Sequence, residues 1–334
     1  MAKLMKAVTT GGCPPHAVAG AGWWRRASRL HHPVVIRPAP LADHLASGRE
    51  PDAGCPLLIL GATGTLGQAL ARACESRGLA FHLTSRSELD LHDPASIAAA
   101  LDRYKPWGVI NAAGWVRVDD AEDEREACMR VNADGAIALT KACESRNIAT
   151  VNFSSDLVFG SASQSTYRES DEPAPLNVYG ESKWRMEQEV ARLRGEHLVI
   201  RTAAFFSPHD PYNFAAVLID HLRRGIAFPA AADSVVTPTY VPHLCDAALD
   251  LLIDGQTGLW HLSNEEAVSW AQFAVRLARA CNLDEALIEF VPSAELDWNA
   301  IRPAASALVS EKGALMPNLS HAIERFAREI GGCA

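Results

Sequence analysis

Tyr179-Gly-Glu-Ser-Lys183 sets a phenol and an ammonium one helical turn apart, on one face of a helix. A free phenol titrates near about 10, too high for efficient proton exchange at neutrality, and a neighbouring cation favours its ionised form. The pair therefore suits proton transfer to a carbonyl oxygen, with Tyr179 as general acid and Lys183 tuning it. Upstream, Phe153-Ser154-Ser155-Asp156 closes an apolar run and offers the Ser155 hydroxyl to orient a substrate carbonyl or hydroxyl toward Tyr179. A Tyr-x-x-x-Lys spacing alone is often only a surface pair, so the meaning rests on what else the chain brings to the same place.

A dinucleotide signal precedes it. Gly61-Ala-Thr63-Gly64-Thr65-Leu66-Gly67 follows a short apolar run and opens a helical period. Glycines there close the turn and let backbone approach a pyrophosphate at the helix N-terminus. At the end of the next apolar run stands Thr84-Ser85-Arg86-Ser87, where an acid would bind the ribose 2′-hydroxyl of NAD. Arg86 with hydroxyl neighbours suits a 2′-phosphate, so NADP(H) is preferred and NAD(H) is possible. Asn111-Ala112-Ala113-Gly114 ends a third run beside the expected cofactor path, and Lys183 can bind the nicotinamide ribose hydroxyls while tuning Tyr179.

The elements that must position these residues alternate. Apolar runs at Leu57–Leu60, Ala80–Thr84, Gly108–Asn111, Ala149–Phe153 and His197–Arg201 are separated by helical periods over 65–77, 94–104, about 122–146 and about 179–194. Such alternation predicts an α/β fold, a doubly wound parallel sheet of the Rossmann kind. After Thr202 the regularity weakens, with helices near 212–224, 242–253, 269–281 and 319–330. A reductase-like domain is thus expected over 56–330, its cofactor part at about 56–202 and a smaller substrate lobe mainly at about 203–330. Residues 1–55, rich in Gly, Pro, Ala and Arg and without a sustained period, read as a poorly ordered basic arm or the stub of another domain.

Composition bounds the partners. The 334 residues are 48 % hydrophobic and 21 % charged, which excludes disordered and fibrous classes. Net charge is −9, the wrong sign for a generic nucleic-acid or anionic-membrane binder. That charge is uneven: residues 1–42 hold six basic side chains and no acid, while the remaining 25 basic residues face 40 acids. No apolar stretch reaches membrane-span length and no secretory leader is recognisable, so a cytoplasmic protein is expected. The eight cysteines stand singly, without CxxC pairs, and no metal site is expected. The acidic run Asp119, Asp120, Glu122, Asp123, Glu124 reads as a helix start rather than a cation site, and His261 as a hydrogen-bonded core residue.

Glycine turn, Asn-Ala-Ala-Gly, Ser-Ser-Asp and Tyr-x-x-x-Lys at consecutive strand ends together resemble the extended short-chain dehydrogenase/reductase superfamily. Within it the chain is similar to the dTDP-4-dehydrorhamnose reductase family over about 57–330, through Val118-Asp-Asp-Ala-Glu122, Phe153-Ser-Ser-Asp-Leu-Val-Phe159, Ala174-Pro-Leu-Asn-Val-Tyr-Gly-Glu-Ser-Lys183, Arg201-Thr202, Asn213-Phe214, Thr237-Pro-Thr239, Gly258-Leu-Trp-His-Leu262 and Arg302-Pro303. The resemblance implies Ser155, Tyr179 and Lys183 as catalytic residues, Asp90 and Leu91 near the adenine, and Trp115, Asp156 and Asn213 at the substrate. It implies NADPH-dependent reduction of a 4-keto sugar nucleotide, with a homodimer possible. Leu157 stands where dehydratases carry a second acid. The sugar half departs from the family: Ala203-Ala204 replace Ser-Trp, Leu157 a tyrosine, and Val236 a glycine. A non-catalytic NADP-binding regulatory or interaction subunit is the alternative reading of those departures.

Overall fold

In the computed structural model, which describes residues 55–160 and 164–331, the strand β1 (Leu57–Leu60) is buried on every residue. A four-residue run with no polar face belongs inside a sheet covered on both sides. Helix α1 (Thr65–Arg77), β2 (Phe81–Thr84), helix α2 (Pro94–Tyr104) and β3 (Gly108–Asn111) follow as two βαβ units. The main sheet is completed by β4 (Ala149–Ser155), β5 (His197–Thr202) and β6 (Gly258–His261), in the order β6-β5-β4-β3-β1-β2 and parallel throughout. The order reverses between β1 and β3, and such a switch point opens a crevice beyond the carboxyl ends of those strands. One face of the sheet packs Leu57, Ile59, Ile110, Val151 and Ile200 against α1 and a later helix. The other packs Leu58, Leu60 and Val109 against Ile97, Leu101 and Leu139.

Between β3 and β4 a single helix is expected, but the chain forms α3 (Asp120–Asp123), α4 (Arg125–Met129), a π turn (Arg130–Gly135) and α5 (Ala136–Glu144). Two side groups account for the extra-wide turn. A Cβ on Gly135 would lie 2.9 Å from Leu91 Cβ, so the helix passes Leu91 at bare-backbone distance. Asn132, inside the same turn, points its carboxamide at the Trp115 backbone.

Helix α6 (Val178–Val190) is started by Asn177, whose side chain accepts from Gly180 N. The later helices are α7 (Phe214–Arg223), α8 (Val241–Ile253), α9 (Trp270–Ala280) and α10 (Leu319–Gly331), close to the expected spans. Helix α7, helix α9, helix α10 and the ribbon Phe228–Ala231 with Ile288–Val291 build a second core around Phe206, Phe214, Phe273 and Phe326. Helix α8 packs on α1 through Leu244 and Leu249, and β6 joins the main sheet. The arm over 1–55, Trp23 and Trp24 included, lies outside the described residues apart from Cys55.

Candidate active site

The glycine turn shows which glycines the protein itself needs. Gly61 has φ +97°, and a Cβ there would stand 2.7 Å from Ala112 O; one on Gly67 would stand 2.2 Å from Gly61 O. Those two serve the turn and the helix–strand approach. Gly64, at φ −88° with only a 3.5 Å contact awaiting a Cβ, serves neither. It is the residue before α1, which has no side-chain cap and no acid in its first turn. Free helix-end amides beside an unforced glycine fit a pyrophosphate. Thr63 is exposed and Thr65 half-buried, while the Leu66 side chain is in the core, leaving only its backbone to a ligand.

Across the crevice, Ala112 and Ala113 are half-buried and Gly114 is exposed. Their strand end is fixed by a chain of amides, Asn111 Nδ2 to Asn152 Oδ1 at 3.1 Å and Asn152 Nδ2 to Thr140 Oγ1 at 3.0 Å. Trp115 follows, its N–H donating to Asn132 Oδ1 at 2.8 Å and its indole to Arg117 O at 2.7 Å.

Beyond β2, Arg86 is exposed, with Nε 3.4 Å from Asp90 Oδ2 and Nη2 2.9 Å from His92 Nδ1. Sequence reasoning missed Glu88. Its carboxylate folds back to accept from Ser85 N and Ser85 Oγ, both at 2.8 Å, and these bonds hold its pKa down at about 2. Ser85 is therefore engaged within the protein, and Arg86 stands as the cation of this corner. The Leu91 side chain is in the core beneath Gly135, leaving only its backbone to a ligand.

The catalytic candidates meet where β4 ends. Lys183 Nζ donates to Phe153 O at 3.0 Å and lies 5.8 Å from the Tyr179 ring centroid. Burial lowers its pKa to about 8. Ser155 Oγ bonds Tyr179, donates to Asp156 Oδ1 at 2.9 Å and accepts from Leu157 N. The expected lowering of the Tyr179 pKa is not what the geometry gives. Burial, then the charges of Asp156 and Cys128, push the phenol well above its ordinary value. Tyr179 thus keeps its proton throughout the neutral range.

Asp156 is buried beside Ser155. Ser306 donates to its second oxygen at 2.5 Å, and burial raises its pKa to about 6. Asn213 likewise has an internal duty: it caps α7 through Ala216 N and donates to Ser207 O and Asp210 O. The acidic run is also spent structurally. Asp119 forms a two-pronged pair with Arg302 at 2.7 and 2.8 Å, and Glu122 accepts from Val178 N at the start of α6. Among the described residues no group of three or more His, Cys, Asp or Glu is placed to hold a metal ion.

Behind Lys183 on α6, Glu187 grips Arg201 of β5 at 2.6 and 2.9 Å with both side chains buried. His261 adds Nε2 at 3.3 Å from Arg201 Nη1, a hydrogen-bonded core role as expected.

A family model described as the RmlD substrate binding domain matches residues 55–326. The chain belongs to that family. Similar RmlD-type proteins include dTDP-4-dehydrorhamnose reductase of Aggregatibacter actinomycetemcomitans, 31 % identical over 75 % of this chain and 90 % of that one. Another is the dTDP-4-keto-6-deoxy-D-glucose reductase of Streptomyces niveus, 30 % identical over 75 % and 87 %. Among solved structures, the dTDP-4-dehydrorhamnose reductase of Bacillus anthracis in complex with NADP superposes with a TM-score of 0.78 at 28 % identity, covering 82 % of this chain and 99 % of that one. Against this RmlD background the departures are local. Ala203 is buried, Ala204 takes φ +41°, a conformation rare for a residue with a Cβ, and Phe206 turns into the second core.

Proposed function

We propose that the protein is an NADPH-dependent reductase of a 4-keto sugar nucleotide. The observation that carries this is the meeting of Ser155, Tyr179 and Lys183 at the end of β4, facing a glycine turn in which Gly64 has no internal use, in a chain whose relatives are named as such reductases. The backbone of Gly61 to Gly67 would hold the pyrophosphate, Ala112 to Gly114 would line the path, Arg86 would take the 2′-phosphate, and two N–H groups of Lys183 remain for ribose hydroxyls. The bound nicotinamide supplies the hydride.

Everything else falls to the chain. Ser155 turns its hydroxyl to the ketone oxygen and Tyr179 gives that oxygen its proton. A phenol held fully protonated is a loaded acid, and it releases its proton only once an alkoxide, a far stronger base, develops beside it. Lys183, cationic below about pH 8, stabilises the phenolate left behind. A binding-only subunit would have no use for this buried donor.

The test is NADPH consumption with 4-keto sugar nucleotides and simpler ketones. Tyr179→Phe should bind NADPH as wild type does and lose roughly 10²–10⁴-fold in kcat, the range for a general acid. Turnover that survives the substitution refutes the assignment, as does a wild type inert toward every ketone offered.

A further inference from the structure

Arg86 is an exposed side chain that nevertheless has a defined place. Its Nε and Nη2 occupy one edge of the guanidinium, the edge turned to Asp90 and His92. Taking up that edge leaves the end-on pair, Nη1 with the outer hydrogen of Nη2, directed away as a fork suited to two oxygens of one phosphate. We propose that His92 is a specificity-determining positioning residue, which holds the Arg86 fork for a ribose 2′-phosphate and so discriminates NADPH from NADH. This rests on the cofactor reading above.

Three observations support it. First, a guanidinium only donates, so His92 Nδ1 must accept at 2.9 Å and the imidazole proton sits on Nε2. Second, that Nε2 is buried with no partner among the described residues. A buried donor without an acceptor is costly, and a ring kept purely for packing would be better apolar. The ring's polar use is at Nδ1, 2.9 Å from Arg86 Nη2 and 3.5 Å from Asp90 Oδ1. Third, the ring rides on a rigid turn: His92 N donates to Asp90 Oδ1 at 2.9 Å, Asp90 N to Ser96 Oγ at 3.0 Å, and Asp93 caps α2 through Ala95 N. Asp90, expected at the adenine, therefore acts here by steadying both His92 and Arg86. A freely rotating exposed arginine loses side-chain entropy when it closes on a phosphate; one already held loses less.

The prediction separates the cofactors. His92→Ala should weaken NADPH binding by roughly three- to ten-fold, the share of a charge-assisted contact that positioning supplies, while leaving NADH binding and kcat with either cofactor unchanged. His92→Asn, whose carboxamide oxygen can stand near Nδ1 and accept from Arg86, should recover most of the NADPH affinity; His92→Leu should not. Titration of the full-length chain with NADPH and NADH, beside a thermal melt, reads all of this. If Arg86→Ala weakens NADPH and His92→Ala does not, the positioning role is refuted and the cofactor assignment stands. If Arg86→Ala leaves NADPH binding unmoved, the cofactor reading itself fails. Equal losses for both cofactors in His92→Ala would mark a merely structural ring and overturn the proposal.

Discussion

Replacing Asp156 with asparagine should stabilise the protein at neutral pH and leave it unchanged in acid. The carboxyl is 6 % exposed and accepts from the Ser155 and Ser306 hydroxyls and from the backbone N–H groups of Asp156 and Leu157. Burial outweighs those bonds and lifts its pKa from 3.8 to about 6. A carboxyl raised in the folded state binds its proton more tightly there than in the unfolded chain. Its stabilising contribution is therefore complete below pH 3.8 and is lost as pH rises through about 6. A gap of about two pH units at ~1.4 kcal/mol each makes the ionised group cost ~3 kcal/mol above that window. An asparagine has no charge to desolvate, and its carboxamide can accept from one serine and donate to the other. Asp156→Asn should gain ~1–3 kcal/mol over wild type near pH 7.5 and nothing near pH 4, read by urea titrations at both values. A gain of equal size at the two pH values, or a loss at the higher one, would refute the linkage.

Two glycines of the same turn should part company. Gly64→Ala should melt close to wild type, since its Cβ would make only ordinary contacts with Gly61 O at 3.5 Å and Ala112 O at 4.0 Å, yet bind dinucleotide roughly ten-fold or more weakly. Gly67→Ala, with its Cβ 2.2 Å from Gly61 O, should lose ~1–3 kcal/mol of stability or more in denaturant titration. Arg201→Met leaves Glu187 buried and unpaired and should cost ~3–5 kcal/mol, whereas Arg201→Met with Glu187→Leu should restore much of that in the same assay.

Periodicity made most of the scaffold legible. The expected runs at Leu57–Leu60, 65–77, 94–104 and Gly108–Asn111 are the observed β1, α1, α2 and β3. Buried strands and amphipathic helices carry their own signal because burial repeats along them. What periodicity does not carry is a tertiary demand on one side group. The π turn arises from Gly135 passing Leu91 and from Asn132 serving Trp115, and neither alters the apolar period. Ser155, Tyr179 and Lys183 are legible as neighbours because they stand at the end of a strand and the start of a helix that the periodicity marks. Ser306 under Asp156, Glu88 on Ser85 and Arg302 on Asp119 come from loops, where contact partners leave no spacing to read. The Tyr179 environment is not legible for a related reason: sequence shows a cation one turn away but not how much water the site excludes.

The segment from Asn299 to Leu308 has a consequence for how the molecule is born. It ties Asp119 through Arg302, Asn177 through the Ile301 carbonyl, and Asp156 through Ser306, and its last residues pair with Thr166–Tyr167. Ser306 lies 150 positions after its partner and Arg302 lies 183 after its own. On the ribosome, the strands that bear the cofactor turn emerge long before these tethers exist, and such distant contacts form late because loop closure must precede them. The nascent sheet can therefore meet a dinucleotide while the floor beneath Ser155 is still missing. Under the proposed function, a chain cut short before Asn299 keeps the glycine turn but lacks Ser306 against Asp156 and should not turn over a ketone.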